Sequence, residues 1–106
     1  MVSREEARQL ALDLSEAVEQ DHHGRPSFRV GGKIFATQWD GEHMNVMLDE
    51  GGILTAVDAA PKTCEPVRWG KRLAAVRVDL RRVSPKLLRD LLTDAWETKA
   101  PKRLTE

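Results

Sequence analysis

Two adjacent glycines, Gly31 and Gly32, separate two stretches with the composition of β-strands. Phe28 and Val30 alternate with polar residues before the glycines, and residues 33–39 continue the pattern after them. Alternation with a period of two is typical of a strand buried on one face, and paired glycines adopt the positive φ angles of a tight type I′ turn. The sequence therefore predicts a β-hairpin, and with it an antiparallel sheet.

A third strand is predicted after a turn at residues 40–42. Its period of two places one set of side chains on the core side, namely Met44, Val46 and Leu48. The other set faces the opposite way, namely His43, Asn45 and Met47. The three strands together are expected to form an antiparallel meander.

The first helix has a clear predicted start, because Ser3 and Glu6 have the spacing of a capping box. Apolar residues then recur at helical spacing, namely Leu10, Ala11, Leu14, Ala17 and Val18. Residues 21–26 are predicted to form the loop that follows this helix.

The second half of the chain predicts a short helix over residues 49–60, a short strand over 64–68 and a clear strand over 73–80. In the last strand the expected core-facing set is Ala74, Val76, Val78 and Leu80. Ser84 and Pro85 are suited to the first positions of a final helix, which Pro101 is expected to end. The prediction is one α+β domain over residues 1–106: two layers, an antiparallel five-stranded sheet and helices on one face, in the order α-βββ-α-ββ-α.

Composition narrows the class of protein. Apolar residues make up 41% and charged residues 32% of the chain, and no apolar run approaches the length of a membrane span. The N-terminus lacks the features of a signal peptide, so a cytoplasmic location without a membrane partner is expected. Cys64 is the single cysteine, which excludes an internal disulfide and a cysteine-based zinc cluster.

Charge is divided unevenly along a chain whose net charge is zero. Residues 1–60 carry five basic and eleven acidic side chains, for a net charge of −6, whereas residues 61–106 carry twelve and six, for a net charge of +6. Such asymmetry can reflect a surface that binds polyanions or two solvated surfaces of different composition.

Four segments resemble the MmcQ/YjbR family: residues 28–36 (FRVGGKIFA), 76–80 (VRVDL), 94–96 (DAW) and 100–104 (APKRL). The resemblance implies a two-layer domain similar to the CyaY-like and secretion-chaperone folds. It also implies binding to DNA, presumed double-stranded, through two β "wings", which in this sequence are residues 31–33 and 70–72.

The candidate DNA-binding residues are basic side chains in or near turns and in the C-terminal tail, because phosphate contacts require exposed Lys or Arg. They are Arg29, Lys33, Lys71, Arg72, Arg81, Arg82, Lys102 and Arg103, and Lys99 is expected to extend the patch in the tail.

Other chemistry has little support in the sequence. His22 and His23, with His43, have no spacing typical of a metal site, so no metal or cofactor is expected. Cys64 and Ser27 have no identifiable base or orienting partner, and Cys64 is expected to be buried. The sequence therefore predicts a protein that is not an enzyme.

An alternative function is a protein-interaction or homodimerisation module without a nucleic-acid role. A sheet with helices on one face leaves its other face uncovered. Residues expected to form an apolar patch there are Phe35, Thr37, Trp39 and Met47.

Overall fold

The computed structural model describes all 106 residues. The helices are α1 (Arg4–Leu12), α2 (Glu50–Ala59), α3 (Pro85–Lys99) and the short α4 (Lys102–Thr105). The strands are β1 (Val18–His22), β2 (Arg25–Val30), β3 (Lys33–Gln38), β4 (His43–Val46), β5 (Cys64–Trp69) and β6 (Arg72–Asp79).

The strands form one antiparallel sheet in the spatial order β1-β2-β3-β4-β6-β5. The predicted α+β class and antiparallel sheet are confirmed. The predicted count of five strands is wrong, because the sheet has six, and the element order is α-ββββ-α-ββ-α-α. Both β1 and β5 are edge strands.

The additional strand is β1, which lies where the sequence predicts the end of the first helix and the start of a loop. Its central residues, Glu19, Gln20 and Asp21, are exposed and polar, so no alternation of apolar residues reveals the strand. Backbone pairing with β2 holds it in place. The turn that joins the two strands consists of His23 and Gly24, both at positive φ (55° and 83°), as a two-residue type I′ turn requires.

The first helix is shorter than predicted, although its capping box at Ser3 and Glu6 is confirmed. It ends at Leu12, and Glu16 adopts a positive φ of 57° in the connection to β1. Leu14 and Ala17 still pack against the core from this irregular segment. The apolar residues therefore recur beyond the end of the helix because the segment that connects it to β1 is also partly buried.

The core lies between the helices and one face of the sheet, here called the inner face. Phe28, Val46 and Val76 are buried there with Leu88 and Leu92 of α3. The Nε1 atom of Trp96 donates a hydrogen bond of 2.9 Å to the carbonyl oxygen of Ser15, which ties α3 to the segment before β1. The predicted N-cap at Ser84 and the expected burial of Cys64 are confirmed.

Two β-bulges change which side chains reach the other face, here called the open face. Across β2 and β3 the pairing changes from Phe28 with Ala36 to Arg29 with Ile34, which makes Phe35 an additional residue. Phe35 is fully buried in the core, so its expected place in an exposed patch is wrong.

The second bulge lies between β5 and β6. Pairing changes from Val67 with Ala75 to Arg68 with Leu73, so Ala74 is the additional residue. Ala74 lies on the open face with Arg77, contrary to its predicted place on the core side. A bulge bends its strand and increases the local twist, and both bulges border the concave part of the sheet.

The C-terminal segment lies against the hairpin between β2 and β3. A Cβ atom at Gly31 would approach the ring of Pro101 to 3.0 Å, so only glycine fits at this position without rearrangement. Arg103 forms two hydrogen bonds of 2.7 Å with the carboxylate of Glu16. None of the helices has the length and apolar character needed to cross a bilayer.

Candidate functional site

A groove with a volume of about 540 Å³ crosses the open face. Five of the side chains that line it are cationic, and none is a carboxylate. The cations come from β2, β3, β6 and the end of α3, so both halves of the sequence contribute: Arg25, Lys33, Arg72, Arg77 and Lys99. Charge of one sign in a concave surface concentrates the field and attracts anions.

A row of polar side chains, here called the polar row, runs across the four central strands of the open face. Its members pair directly from β2 to β3, β4 and β6, and they are Ser27, Thr37, Asn45 and Arg77. The first three are buried although no helix covers this face. No buried side-chain nitrogen or oxygen in the protein lacks a hydrogen-bond partner. Burial of the polar row therefore leaves none of its buried side-chain polar atoms unsatisfied.

Hydrogen bonds fix two arginines to this row. The Nε atom of Arg77 donates to Oδ1 of Asn45 at 3.0 Å, and Nε of Arg29 donates to Oγ of Ser27 at 3.1 Å. The Ser27 hydroxyl in turn donates to the carbonyl oxygen of Gln20 at 2.8 Å. An arginine held through Nε keeps its terminal nitrogens available as donors to an incoming anion.

Trp39 organises two of the cations. The guanidinium carbons of Arg25 and Arg77 lie 4.2 Å and 4.4 Å from the centroid of its ring, well within cation–π distance. Arg25 also donates from Nε to the carbonyl oxygen of Trp39 at 2.8 Å. The indole therefore contacts two of the positive groups of the groove.

Trp69 lies at the other side of the groove, at the end of β5. Its side chain is 57% exposed, the largest exposure among the tryptophans. The guanidinium of Arg72 lies 5.6 Å from its ring centroid. Besides the two tryptophans, the apolar side chains that line the groove are Ile34, Met47, Val67 and Ala74.

Most of the groove cations have no acidic partner. Arg25, Lys33, Arg72 and Lys99 form no salt bridge, and Arg77 approaches Glu65 only to 3.9 Å. The neutral net charge of the whole chain therefore conceals a local excess of positive charge.

The structure brings some of the sequence-predicted residues together. Lys33 and Arg72 lie next to different hairpin turns, and their side chains line the same groove. Lys71 is exposed in the turn before Arg72, and Arg29 lies on the open face beside Ser27.

Other predicted residues lie outside the groove and are paired with carboxylates. Arg81 contacts Asp79 at 3.1 Å and Glu42 at 2.8 Å, and the Arg81 side chain holds the pKa of Asp79 below its usual value. Arg82 lies 3.7 Å from Asp79. Arg103 likewise lowers the pKa of Glu16 through its hydrogen bonds.

Lys102 is exposed on α4 and forms no salt bridge, but it does not line the groove. Lys102 therefore has no acidic partner, unlike Arg81, Arg82 and Arg103, but it lies outside the groove.

Sequence reasoning missed two of the groove cations, Arg25 and Arg77, whereas Lys99 was among the tail residues expected to extend the basic patch. Arg77 could have been found, because it alternates with Val76 and Val78 in the clearest predicted strand and must face away from the core. Arg25 lay in a segment interpreted as a loop, and Lys99 lies at the end of a helix on the other layer. Their proximity depends on tertiary structure.

Other reactive side chains are not assembled into a site. Burial raises the pKa of the Cys64 thiol, which disfavours the nucleophilic thiolate. The rings of His22 and His23 lie 4.4 Å apart, while His43 contacts Asp40 at 3.0 Å. No three His, Cys, Asp or Glu side chains are placed to hold a metal ion together.

The fold and the groove define a small α+β domain with a concave face that carries cationic and aromatic side chains. The chain belongs to the YjbR family, whose model matches residues 12–98, so the resemblance found in the sequence is confirmed.

One solved structure similar to this chain is the crystal structure of Deinococcus radiodurans protein DR2400, which contains the domain DUF419. The two share 20% sequence identity with a TM-score of 0.74, over 91% of this chain and 77% of that one. At this identity the similarity establishes the fold alone. No protein of curated function matches the sequence.

Proposed function

We propose that this protein is a small, non-enzymatic DNA-binding domain that contacts phosphates through the groove on its open face. The observation that carries the proposal is the set of five groove cations without a carboxylate among the lining residues. Phosphate contacts supply most of the affinity of proteins for DNA, because Lys and Arg displace the counterions that surround the backbone.

The positions of Lys33 and Arg72 give further support. They follow the turns of two separate hairpins, β2–β3 and β5–β6, and both line the groove. A strand of DNA that followed the groove would meet both cations. Arg81 and Arg103 contribute little under this proposal, because Asp79, Glu42 and Glu16 already neutralise them.

The test is fluorescence anisotropy of a labelled DNA oligonucleotide, offered in single-stranded and in duplex form at low and at physiological salt. We expect the protein to bind at least one form, with an affinity that falls as salt rises. The double substitution Lys33→Glu with Arg72→Glu should weaken that binding at least about tenfold and reduce the salt dependence by about the contribution of two phosphate contacts.

A charge-matched control is available in Lys62→Glu with Lys86→Glu. Both lysines are exposed, and neither lines the groove. This control should retain most of the binding. Absence of binding of either DNA form at low salt, or equal losses in the two double variants, would refute the proposal.

A further inference from the structure

We infer that the DNA bound in the groove is single-stranded, with at least one unpaired base stacked on Trp69. This inference rests on the proposed function and specifies its ligand. It follows from the parts of the groove that phosphate contacts alone leave unexplained: an exposed indole and an apolar floor.

The exposure of Trp69 is the first observation. A tryptophan with more than half of its side chain in water gives up the stabilisation that burial of its large ring would supply. The ring remains more than half exposed although the guanidinium of Arg72 lies 5.6 Å from its centroid. An exposed indole next to a guanidinium is the combination on which single-stranded nucleic acids stack their bases.

The arrangement of Trp39 is the second observation. Its ring holds the guanidinium groups of Arg25 and Arg77 at 4.2 Å and 4.4 Å. Arg77 is further fixed by Asn45. Planar guanidinium groups that are already oriented can stack on a base or donate hydrogen bonds to a phosphate, so this side of the groove is preorganised for a nucleotide.

The apolar floor is the third observation, and it distinguishes a single strand from a duplex. Ile34, Met47, Val67 and Ala74 line the groove together with the two tryptophans. In a duplex the faces of the bases are stacked inside the helix, and proteins reach the phosphates, the sugars and the base edges. Apolar side chains are best covered by the flat faces of bases, which a single strand exposes and a duplex keeps stacked.

The size of the groove agrees with this reading. Its volume of about 540 Å³ lies within the range of sites that enclose a small organic ligand. β3, which runs beneath it, has six residues and therefore a length of about 20 Å. The groove can thus hold a short stretch of one extended strand.

The test compares a labelled single-stranded oligonucleotide with the duplex of the same sequence, by anisotropy and by quenching of tryptophan fluorescence. We expect tighter binding of the single strand. Trp69→Ala should weaken that binding about 5- to 100-fold, as loss of one base–aromatic stack does. Trp69→Phe should retain most of it, and binding of the duplex should change little.

Leu54→Ala is the matched control, because Leu54 is a similarly exposed large side chain on α2 and does not line the groove. It should leave both affinities unchanged.

Three results would overturn the inference. Duplex binding as tight as single-strand binding, with Trp69→Ala affecting neither, would reject stacking while the proposed DNA-binding function stands. Competition by the free mononucleotide dTMP equal to that of the oligonucleotide would indicate a nucleotide site instead of a strand site. Failure of both DNA forms to bind would reject this inference together with the proposed function.

Discussion

The inner and open faces of the sheet are built from neighbouring residues of the same four strands, yet they reach burial by different means. The inner row is apolar and covered by helices, and consists of Phe28, Ala36, Val46 and Val76. The polar row of the open face has no helix over it. Ser27, Thr37 and Asn45 are nevertheless buried.

This difference shows that the side chains of a sheet can bury its polar residues without a helix over them. On the open face the cover consists of long side chains of the sheet, with Arg29 and Arg77 hydrogen-bonded to the polar row and Trp39 beside them. A cover of helices excludes ligands from the inner face. A cover of guanidinium and indole groups leaves a cationic surface that a ligand can contact directly.

The largest expected effect on stability lies at the β2–β3 bulge, where Phe35 is assigned to the inner face and Ile34 to the open face. Phe35→Ala should destabilise the protein by about 3–5 kcal/mol, because it removes a fully buried aromatic ring. Ile34→Ala changes the preceding residue, which lines the groove, and should lower the free energy of unfolding by distinctly less. Urea denaturation of both variants measures the difference, and equal losses would contradict the assignment of the two residues.

A smaller effect is expected at the polar row itself. Asn45→Ala should cost about 1–3 kcal/mol, because it removes a buried hydrogen-bond acceptor of Arg77. Asn45→Asp keeps an acceptor at this position and should cost less in stability, but it places a carboxylate in the groove and should weaken DNA binding. Urea denaturation of the two variants measures the effect on stability, and anisotropy measures the effect on DNA binding. A larger loss of stability in Asn45→Asp than in Asn45→Ala would contradict this prediction and show that the polar row does not tolerate a carboxylate.

The parts of the fold that sequence reasoning predicted are those with local signals. The capping box at Ser3, the paired glycines at positions 31 and 32 and the N-cap at Ser84 each depend on nearby residues alone. β1 escaped prediction because an exposed edge strand of polar residues has no apolar period, and its pairing with β2 is what makes it a strand.

The groove was less predictable for a related reason. A period of two assigns faces correctly only while the strand is regular, and the additional residues Phe35 and Ala74 exchange the faces on either side of them. The wing residues Lys33 and Arg72 were identified, whereas the positions of Arg25 and Lys99 beside them follow from the packing of separate elements. The pairing of Arg81 and Arg103 with carboxylates likewise became visible only in three dimensions.

The measurement that tests the central claim most directly is an NMR titration of the ¹⁵N-labelled protein with a single-stranded oligonucleotide. The account predicts that the largest chemical-shift changes occur on the open face, at the backbone amides of Thr37, Asn45 and Met47 and at the indole N–H groups of Trp39 and Trp69. Changes confined to the surroundings of Arg81 and Arg103, or no changes at all, would contradict the assignment of the groove as the DNA-binding surface.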